Sequence, residues 1–122
     1  MPRVIHFEIV TDDPERTQQF YEAVFDWKVE KWNGPMDYWF LMTGESDEPG
    51  IDGAFGLRQS QDDHVINTID VDDIDKYVDL IKENGGEIIR PRSTIPGVGY
   101  LAYFKDSEGN LWGLMQDDSS AK

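Results

Sequence analysis

Hydrophobic and polar side chains alternate along residues 3–10, and this period of two predicts a β-strand. The alternation separates two sets of side chains, with Ile5, Phe7 and Ile9 on one face and His6 and Glu8 on the other. The apolar face is expected to pack into a core. The opposite face carries polar groups that core packing does not require.

A helix is predicted from Asp13 to about Asp26. Aspartate is a preferred N-cap residue, and Pro14 suits the first helical turn. Apolar residues then recur at helical spacing, at Phe20, Val24 and Trp27. We expect this stripe to pack against the apolar face of the first strand.

Three further strands complete the first half of the chain. They are predicted at residues 27–32, 37–43 and 51–58. A turn at residues 33–35 joins the first two, and a polar loop at residues 45–50 precedes the third. The order of elements in this half is therefore βαβββ.

The second half repeats this order. The run from Val65 to Val71 resembles the first strand, and two aspartates follow it as they follow the first strand. The predicted elements are a strand at 64–71, a helix at 73–84 and strands at 86–90, 98–105 and 111–116, with a loop from Pro91 to Gly99. The apolar stripe of the helix, expected in the core, is Ile74, Tyr77, Val78 and Ile81. Such a repeat indicates a pseudo-symmetric domain with any site at the junction of its halves.

We therefore expect a single α+β domain over residues 1–118, built from two βαβββ modules at residues 1–58 and 64–118 and followed by a tail at residues 119–122. The chain has no cysteine, which excludes disulfides, thiolate zinc sites and cysteine nucleophiles. Its N-terminus lacks a signal-peptide pattern, and no apolar run approaches the roughly 20 residues that span a bilayer. A cytoplasmic protein is expected.

Charge narrows the possible partners. The chain has 11 basic and 25 acidic residues, a formal net charge of -14. Nucleic acids and anionic membrane surfaces bind proteins through cationic side chains, so neither is expected as a partner. An acidic, lysine-poor surface is typical of proteins from salt-loving organisms, and we take a halophilic origin as a hypothesis.

His6 and Glu8 are neighbours on the polar face of the first strand and form the candidate catalytic pair. A neighbouring carboxylate favours the charged imidazolium, and such a pair can transfer protons. Thr68 and Asp70 occupy the equivalent places in the second half and are candidate ligand-binding residues. The alternative is that all four are polar wall residues that hydrogen-bond one another.

Aromatic side chains are frequent on or beside the predicted strands. They are Trp32, Tyr38, Trp39, Phe40, Phe55, Tyr100, Tyr103 and Trp112. Apolar walls with a few polar groups are typical of small-molecule pockets, although alternation requires that about half of these rings pack beneath the helices. We select Phe55, Trp39 and Tyr100 as candidate ligand-binding residues, while core packing explains any one of them equally well.

Several motifs carry a family resemblance. They are the strand containing His6, the helix start Asp13-Pro14 with Phe20-Tyr21, the helix end Asn84-Gly85-Gly86 and the turn Asp106-Ser107-Glu108-Gly109-Asn110. Together they resemble the vicinal-oxygen-chelate superfamily, which includes glyoxalase I, extradiol dioxygenases and bleomycin-resistance proteins. Through the segments 67–71, 95–99 and 110–116 the chain is most similar to a glyoxalase-like subgroup of unsettled function. The resemblance implies two βαβββ modules in a pseudo-twofold arrangement that curl around a half-open cavity.

The resemblance also implies four metal-ligand positions, on the first, fourth, fifth and eighth strands. His6 falls on the first of them, and the other three fall on or near Gly56, Ile66 and Gly113. At these positions only His6 can coordinate a metal, and His64 could supply a ligand only if the register were displaced by two. Catalytic sites commonly use about three protein ligands. We therefore expect no cofactor, with a divalent metal at His6 as the alternative left open.

These observations favour a protein that binds a small organic molecule in a cavity without the full metal site. One alternative is a glyoxalase-like lyase or isomerase, or a dioxygenase-like enzyme, that uses His6 with a metal or with Glu8. Another is a resistance-type protein that sequesters an aromatic or drug-like compound. Family members commonly dimerise, and we expect a homodimer with contacts near residues 32–40 and 91–99.

Overall fold

The structure is a computed structural model that describes residues 1–61 and 64–122. Within those residues the chain forms eight strands and two helices, neither of which has the length and apolar character needed to cross a membrane. In chain order they are β1 (Arg3–Thr11), α1 (Pro14–Phe25), β2 (Lys28–Lys31), β3 (Tyr38–Met42), β4 (Gly53–Leu57), β5 (Ile66–Asp70), α2 (Ile74–Glu83), β6 (Glu87–Ile95), β7 (Gly99–Lys105) and β8 (Leu111–Asp117). The predicted α+β class and the repeated βαβββ order are confirmed.

The chain divides into two compact units. The first unit is His6–Val65, and the second is Met1–Ile5 together with Ile66–Lys122. In the first unit the strand order is β2-β3-β4-β1, with β1 and β4 parallel and the other neighbours antiparallel. In the second unit the order is β6-β7-β8-β5, again with only the β5–β8 pair parallel. The repeat seen in the sequence is therefore a repeat of structure.

Helix α1 begins where the sequence predicts. The side chain of Asp13 accepts a hydrogen bond from the backbone N–H of Arg16 at 3.1 Å, and Pro14 occupies the first turn. The hydroxyl of Thr17 on α1 lies 2.5 Å from the hydroxyl of Thr11 on β1. Because Thr11 belongs to the apolar face of β1 by strand alternation, α1 lies on that face.

The apolar stripe of α1 is not buried. Phe20 and Val24 each expose 55% of their surface, and the helix contains no buried residue. The expectation that this stripe packs against the strand is therefore wrong. Rings at the end of the helix instead contact one another: Tyr21 and Phe25 both stack on Trp27, at centroid distances of 5.3 and 5.1 Å. Stacking of this kind covers aromatic surface without help from the sheet.

The core of the second unit forms beneath α2. Ile74 is fully buried with Ala102 of β7 and Leu114 of β8. The partly buried side chains of α2 that pack against this cluster are Tyr77, Val78 and Ile81. The core stripe predicted for α2 is confirmed, because its apolar positions recur at the helical period and all face the sheet.

Strand β6 is longer than the sequence predicts. The segment that starts at Pro91 is predicted to be a loop, yet β6 continues to Ile95. The prediction is wrong because the pairing register of β6 shifts twice, between Ile88 and Arg90 and between Arg90 and Ser93. Proline lacks the N–H that a regular ladder uses, and such irregularities leave a residue unpaired.

The tail at residues 119–122 is anchored to the second unit by Ala121. This residue is only 6% exposed, and its carbonyl accepts a hydrogen bond from the N–H of Gly97 at 2.9 Å. Its own N–H donates to the carbonyl of Asp118 at 3.1 Å. The tail therefore packs against the segment that connects β6 to β7.

Candidate functional site

The candidate polar residues share the face of the first-unit sheet opposite α1. Thr11 faces α1, so the alternate residues of β1, which include His6 and Glu8, lie on the other face. Strand pairing extends this face in two rows, Glu8–Ala54–Phe40 and Val10–Gly56–Tyr38. The second row brings Tyr38 onto the same face as His6 and Glu8.

Tyr38 joins His6 to Glu8. Its hydroxyl donates to Glu8 Oε2 at 3.1 Å, and His6 Nε2 lies 2.9 Å from the same hydroxyl oxygen. A phenol has a single O–H, so the N–H of His6 Nε2 is the donor in the second bond. The neutral imidazole then leaves Nδ1 as its acceptor atom. The three side chains form one hydrogen-bonded chain that runs from His6 through Tyr38 to Glu8.

Two aromatic rings and the backbone hold Tyr38 in place. Trp32 and Phe40 meet its ring edge to face, at centroid distances of 6.0 and 5.7 Å. The backbone N–H of Trp32 also donates to the carbonyl of Tyr38 at 2.8 Å. Edge-to-face contacts are favourable arrangements of aromatic rings. The position of the Tyr38 hydroxyl is therefore fixed by the packing of its ring and by the backbone hydrogen bond.

Burial lowers the pKa of His6 below its ordinary value, and the negative charge of Asp52 only partly opposes this shift. The expectation that the carboxylate of Glu8 favours the imidazolium is therefore wrong. Glu8 is connected to His6 through Tyr38. Burial of the imidazole ring lowers the pKa of His6 by more than the charge of Asp52 raises it. His6 is neutral at neutral pH, the form that accepts a proton.

Burial raises the pKa of Glu8, and the hydrogen bond from Tyr38 lowers it in part. The pKa of Glu8 thus moves in the opposite direction to that of His6, and both shifts favour the uncharged side chain. A chain of this kind can accept a hydrogen bond at His6 Nδ1 and can exchange a proton with a bound molecule.

Trp39 and Phe55 lie on the other face of the same sheet. Phe55 pairs with Ile9 on one side and with Trp39 on the other. The two rings stack at 5.4 Å with an interplanar angle of 7°, and Phe55 has no exposed surface. The sheet separates this pair from the His6–Tyr38–Glu8 chain. A ligand-binding role for these two residues stays a prediction.

Thr68 and Asp70 lie on one face of β5 in the second unit. Thr68 is buried opposite Gly113, and Asp70 lies opposite Met115. Within the described part of the chain, Asp70 Oδ1 is a buried atom without a hydrogen-bond partner. Burial first, and then the charge of Asp117, raise the pKa of Asp70, whereas the N-terminal ammonium lowers it. A role of Thr68 and Asp70 in ligand binding stays a prediction.

Tyr100 lies on the face of the second-unit sheet that α2 covers. It packs against the core cluster, and the guanidinium carbon of Arg92 lies 4.1 Å from its ring centroid. Arg92 is also paired with Asp75 of α2 at 2.7 Å. Strand alternation places Thr68 on the opposite face. The structure thus does not bring Tyr100 and Thr68 together.

The donors of the first and second units do not fit a metal ion. Gly56 and Gly113 have no side chain, and a Cβ built on Gly113 would lie 3.1 Å from Thr68 Oγ1 and 3.5 Å from Ile66 Cγ2, so these two positions offer no side-chain ligand. Within residues 1–61 and 64–122 no cluster of three or more His, Cys, Asp or Glu side chains could hold a metal. His6 contributes its Nε2 to Tyr38. A metal site of the type implied by the resemblance is not formed by these residues.

The sequence interpretation missed Tyr38 and Asp52 as partners of His6. Strand alternation assigns side chains to faces within one strand, but the face that β3 shares with β1 depends on the register of both strands with β4. Tyr38 could have been singled out only as one of several aromatic residues on predicted strands. Its hydroxyl becomes distinctive once the pairing is known.

Comparison with known proteins identifies the family to which this fold corresponds. Residues 3–114 match the Glyoxalase/Bleomycin resistance protein/Dioxygenase superfamily. The chain is also 27% identical over 123 residues to the fosfomycin resistance protein FosX of Listeria innocua, an alignment that covers 89% of this chain and 85% of that protein.

Two solved structures with the same fold have low sequence identity to this chain. A hypothetical protein from Bacillus halodurans C-125 superposes with a TM-score of 0.73 and 16% identity, covering 98% of this chain and 97% of that one. Streptomyces coelicolor methylmalonyl-CoA epimerase in complex with 2-nitronate-propionyl-CoA gives a TM-score of 0.70 and 16% identity, covering 100% of this chain and 99% of that one. At these identities the likeness shows the fold alone.

Proposed function

The chain belongs to the Glyoxalase/Bleomycin resistance protein/Dioxygenase superfamily, and we propose that it binds a small organic molecule at the His6–Tyr38–Glu8 chain without a full metal site. The observation that carries this proposal is the hydrogen-bonded chain itself, set between the rings of Trp32 and Phe40. A few polar groups among apolar walls are typical of small-molecule sites.

The chemistry of the chain selects an uncharged ligand. His6 Nδ1 is an acceptor in the neutral imidazole, so a ligand hydroxyl or amide N–H is its natural partner. Burial disfavours charge on both His6 and Glu8, and it disfavours a charged ligand group for the same reason. We therefore expect a compact, largely apolar molecule with one hydrogen-bonding group.

Titration with phenol and anisole tests this proposal. The two compounds have the same ring, but only phenol can donate to His6 Nδ1. We expect phenol to shift the backbone amide NMR signals of β1, β3 and β4, with anisole binding about fivefold more weakly, the loss of roughly one hydrogen bond. Equal binding of the two, or phenol shifts confined to other strands, would contradict the proposal.

Two variants sharpen that titration. His6→Ala removes the acceptor and should reduce phenol binding to the level of anisole. Tyr21→Phe is the matched control, because Tyr21 belongs to α1 and stacks on Trp27 away from the chain. Tyr21→Phe should bind phenol as the unchanged protein does.

The second candidate function is proton transfer next to a carbonyl group, as in an isomerase or epimerase. The specific observation in its favour is that a neutral His6 is linked to Glu8 through Tyr38. A proton gained by one side chain of this chain can therefore be offset by a proton lost from another. One protein of similar fold is a methylmalonyl-CoA epimerase. This likeness suggests an acyl thioester as the first substrate to try.

Exchange in D2O tests the second function directly. The unchanged protein should catalyse loss of the C2 proton signal of methylmalonyl-CoA, and His6→Ala should abolish it. Exchange in His6→Ala at the rate of the unchanged protein would show that His6 does not transfer the proton and would remove this enzyme interpretation. Fosfomycin is the charged comparison in the phenol titration, since the similar Listeria protein is a fosfomycin resistance protein, and it should bind at the His6–Tyr38–Glu8 chain more weakly than phenol because burial disfavours its charge. Binding without turnover would favour a sequestering role.

A further inference from the structure

The indole ring of Trp32 lies against the backbone of Gly34, in the segment that connects β2 to β3. A Cβ built on Gly34 would overlap Cζ2, Cε2 and Cη2 of Trp32 and would be nearly equidistant from these three atoms of the six-membered ring. A point at equal distance from three atoms of a ring lies on the axis through the ring centre. The absent side chain of Gly34 therefore leaves the place that one face of the indole covers.

The indole, and not the backbone conformation, is what requires glycine at residue 34. Gly34 does not have the positive φ that L side chains rarely adopt. Alanine could take this backbone conformation, and its methyl group would meet only the ring of Trp32. Because an aromatic ring is rigid, the whole indole would have to move to make room.

The same indole supports the ring of Tyr38. The two rings meet edge to face at a centroid distance of 6.0 Å, and the backbone N–H of Trp32 donates to the carbonyl of Tyr38 at 2.8 Å. Such a ring pair is a favourable contact that fixes both partners. A displacement of the indole therefore removes one of the walls that hold the Tyr38 ring.

The hydrogen bond from Tyr38 to Glu8 is sensitive to such a displacement. At 3.1 Å it is already longer than the usual range of about 2.5–3.0 Å for a bond between two oxygen atoms. The hydroxyl is the atom of Tyr38 farthest from its Cα, so a rotation about the Cα–Cβ bond moves it most. A small movement of the ring is enough to break this bond.

We propose that Gly34 is a positioning residue for the His6–Tyr38–Glu8 chain and that it acts through the indole of Trp32. Glycine lets the indole occupy the place from which it supports the Tyr38 ring, and the ring then sets its hydroxyl between His6 and Glu8. A side chain at residue 34 displaces the indole and weakens both hydrogen bonds of the hydroxyl.

This role extends to the choice of ligand, a step that rests on the proposed function. The bond to Tyr38 holds the proton of His6 at Nε2 and so keeps Nδ1 as an acceptor. Without that bond the imidazole can carry its proton on either nitrogen. Gly34 thus determines, through Trp32 and Tyr38, that the site prefers a ligand with a hydrogen-bond donor.

Gly34→Ala and Gly44→Ala form a matched pair of variants. Both add one methyl group to a connecting segment of the first unit, but at Gly44 the nearest atom is Glu48 Oε1, the end of a flexible side chain, at 3.2 Å. A carbon-13 NMR titration of the Glu8 carboxyl without any ligand is the measurement. Gly34→Ala should raise the pKa of Glu8, because the charged form loses its donor, and Gly44→Ala should leave it unchanged. An unchanged pKa in Gly34→Ala, or an equal rise in Gly44→Ala, would overturn the proposal.

Trp32→Ala separates an action through the indole from a general loosening of the segment. This variant removes the ring and should by itself raise the pKa of Glu8. Gly34→Ala added to Trp32→Ala should cause no further change, since the methyl group then has no ring to displace. A further rise as large as that of Gly34→Ala alone would show that residue 34 acts by another route, and the proposal would be wrong.

Phenol and anisole report on the choice of ligand. The fivefold preference for phenol should be lost in Gly34→Ala and kept in Gly44→Ala. A preference that survives in Gly34→Ala would contradict the role of Gly34 in selecting the ligand. If the unchanged protein binds neither compound, the proposed function fails, whereas the pKa of Glu8 in the two variants still decides whether Gly34 positions the chain.

Discussion

The hydroxyl of Tyr38 donates a hydrogen bond to Glu8 Oε2 at 3.1 Å, and this bond lowers the pKa of a carboxyl whose pKa burial raises. Tyr38→Phe removes the bond and keeps the ring. The pKa of Glu8 should therefore rise further above its ordinary value, because the charged form loses its donor. A carbon-13 NMR titration of the Glu8 carboxyl measures this shift.

Tyr38→Phe should also reduce the free energy of unfolding, by about 1–2 kcal/mol, because His6 and Glu8 each lose a partner. Tyr21→Phe is the control, as its ring belongs to the stacked cluster on α1. An unchanged or lower pKa of Glu8 in Tyr38→Phe would show that the bond to Tyr38 does not control this carboxyl.

Glu8→Gln should change how stability depends on pH. The pKa of Glu8 is raised in the folded protein above its ordinary value of 4.5, so the folded state holds its proton more tightly. The associated stability is complete below pH 4.5 and is lost as pH rises through the folded pKa. Relative to the unchanged protein, Glu8→Gln should become more stable as pH rises from 4.5 through the folded pKa of Glu8, and the difference should be constant above that pKa.

Urea unfolding of both proteins at several pH values measures this difference, and the contribution of His6 cancels because both proteins contain it. The exposed substitution Glu83→Gln serves as a control for the loss of one carboxylate. A difference between Glu8→Gln and the unchanged protein that stays constant with pH would show that Glu8 is not held in its protonated form by burial.

The fold could be predicted from the sequence because the hydrophobic periodicity that indicates each strand or helix lies within a short stretch of the chain. The period-two pattern around Phe7 and the helical stripe of α2 each indicate an element, and the repeat indicates their order. Pairing register is not local. The first shift in β6, between Ile88 and Arg90, carries Arg90 to the face away from α2, which no count along the sequence could show.

The candidate site was accessible to sequence reasoning only in part. His6 and Glu8 could be placed on one face by alternation, but the sign of the His6 pKa shift depends on how far the ring is buried. Trp39 and Phe55, like Tyr38, are aromatic residues on predicted strands. Only the pairing of Phe55 with Ile9 and with Trp39 shows that both rings lie on the face opposite Glu8. Composition cannot distinguish these positions.

Metal analysis of the purified protein tests the proposal that function does not use a full metal site. Of the implied ligand positions, Gly56 and Gly113 offer no donor, so zinc, nickel, iron and manganese should be substoichiometric after dialysis. Chelation should leave the melting temperature unchanged, because a metal stabilises only in proportion to its binding. One tightly held equivalent that His6→Ala loses would reverse this proposal and favour a metalloenzyme.

Added salt should stabilise the protein. A net charge of -14 makes the compact state repel itself, and at 1 M salt the Debye length falls to about 3 Å, so most of that repulsion is screened. The melting temperature should rise from dilute buffer to molar chloride, equally for sodium and potassium at the same ionic strength. A flat or falling melting temperature would argue against the halophilic hypothesis.

The protein should form a homodimer, and salt should favour it because both partners carry the same charge. Met36, in the segment expected at the interface, is 58% exposed and belongs to an aromatic-rich region that a partner can cover. A twofold interface uses each residue twice, so Met36→Asp should weaken association by at least about tenfold. Val65→Asp adds the same charge at a side chain that is 62% exposed and should leave association unchanged. Light scattering at tens of micromolar protein in molar salt is the measurement, and a monomeric unchanged protein would refute the prediction.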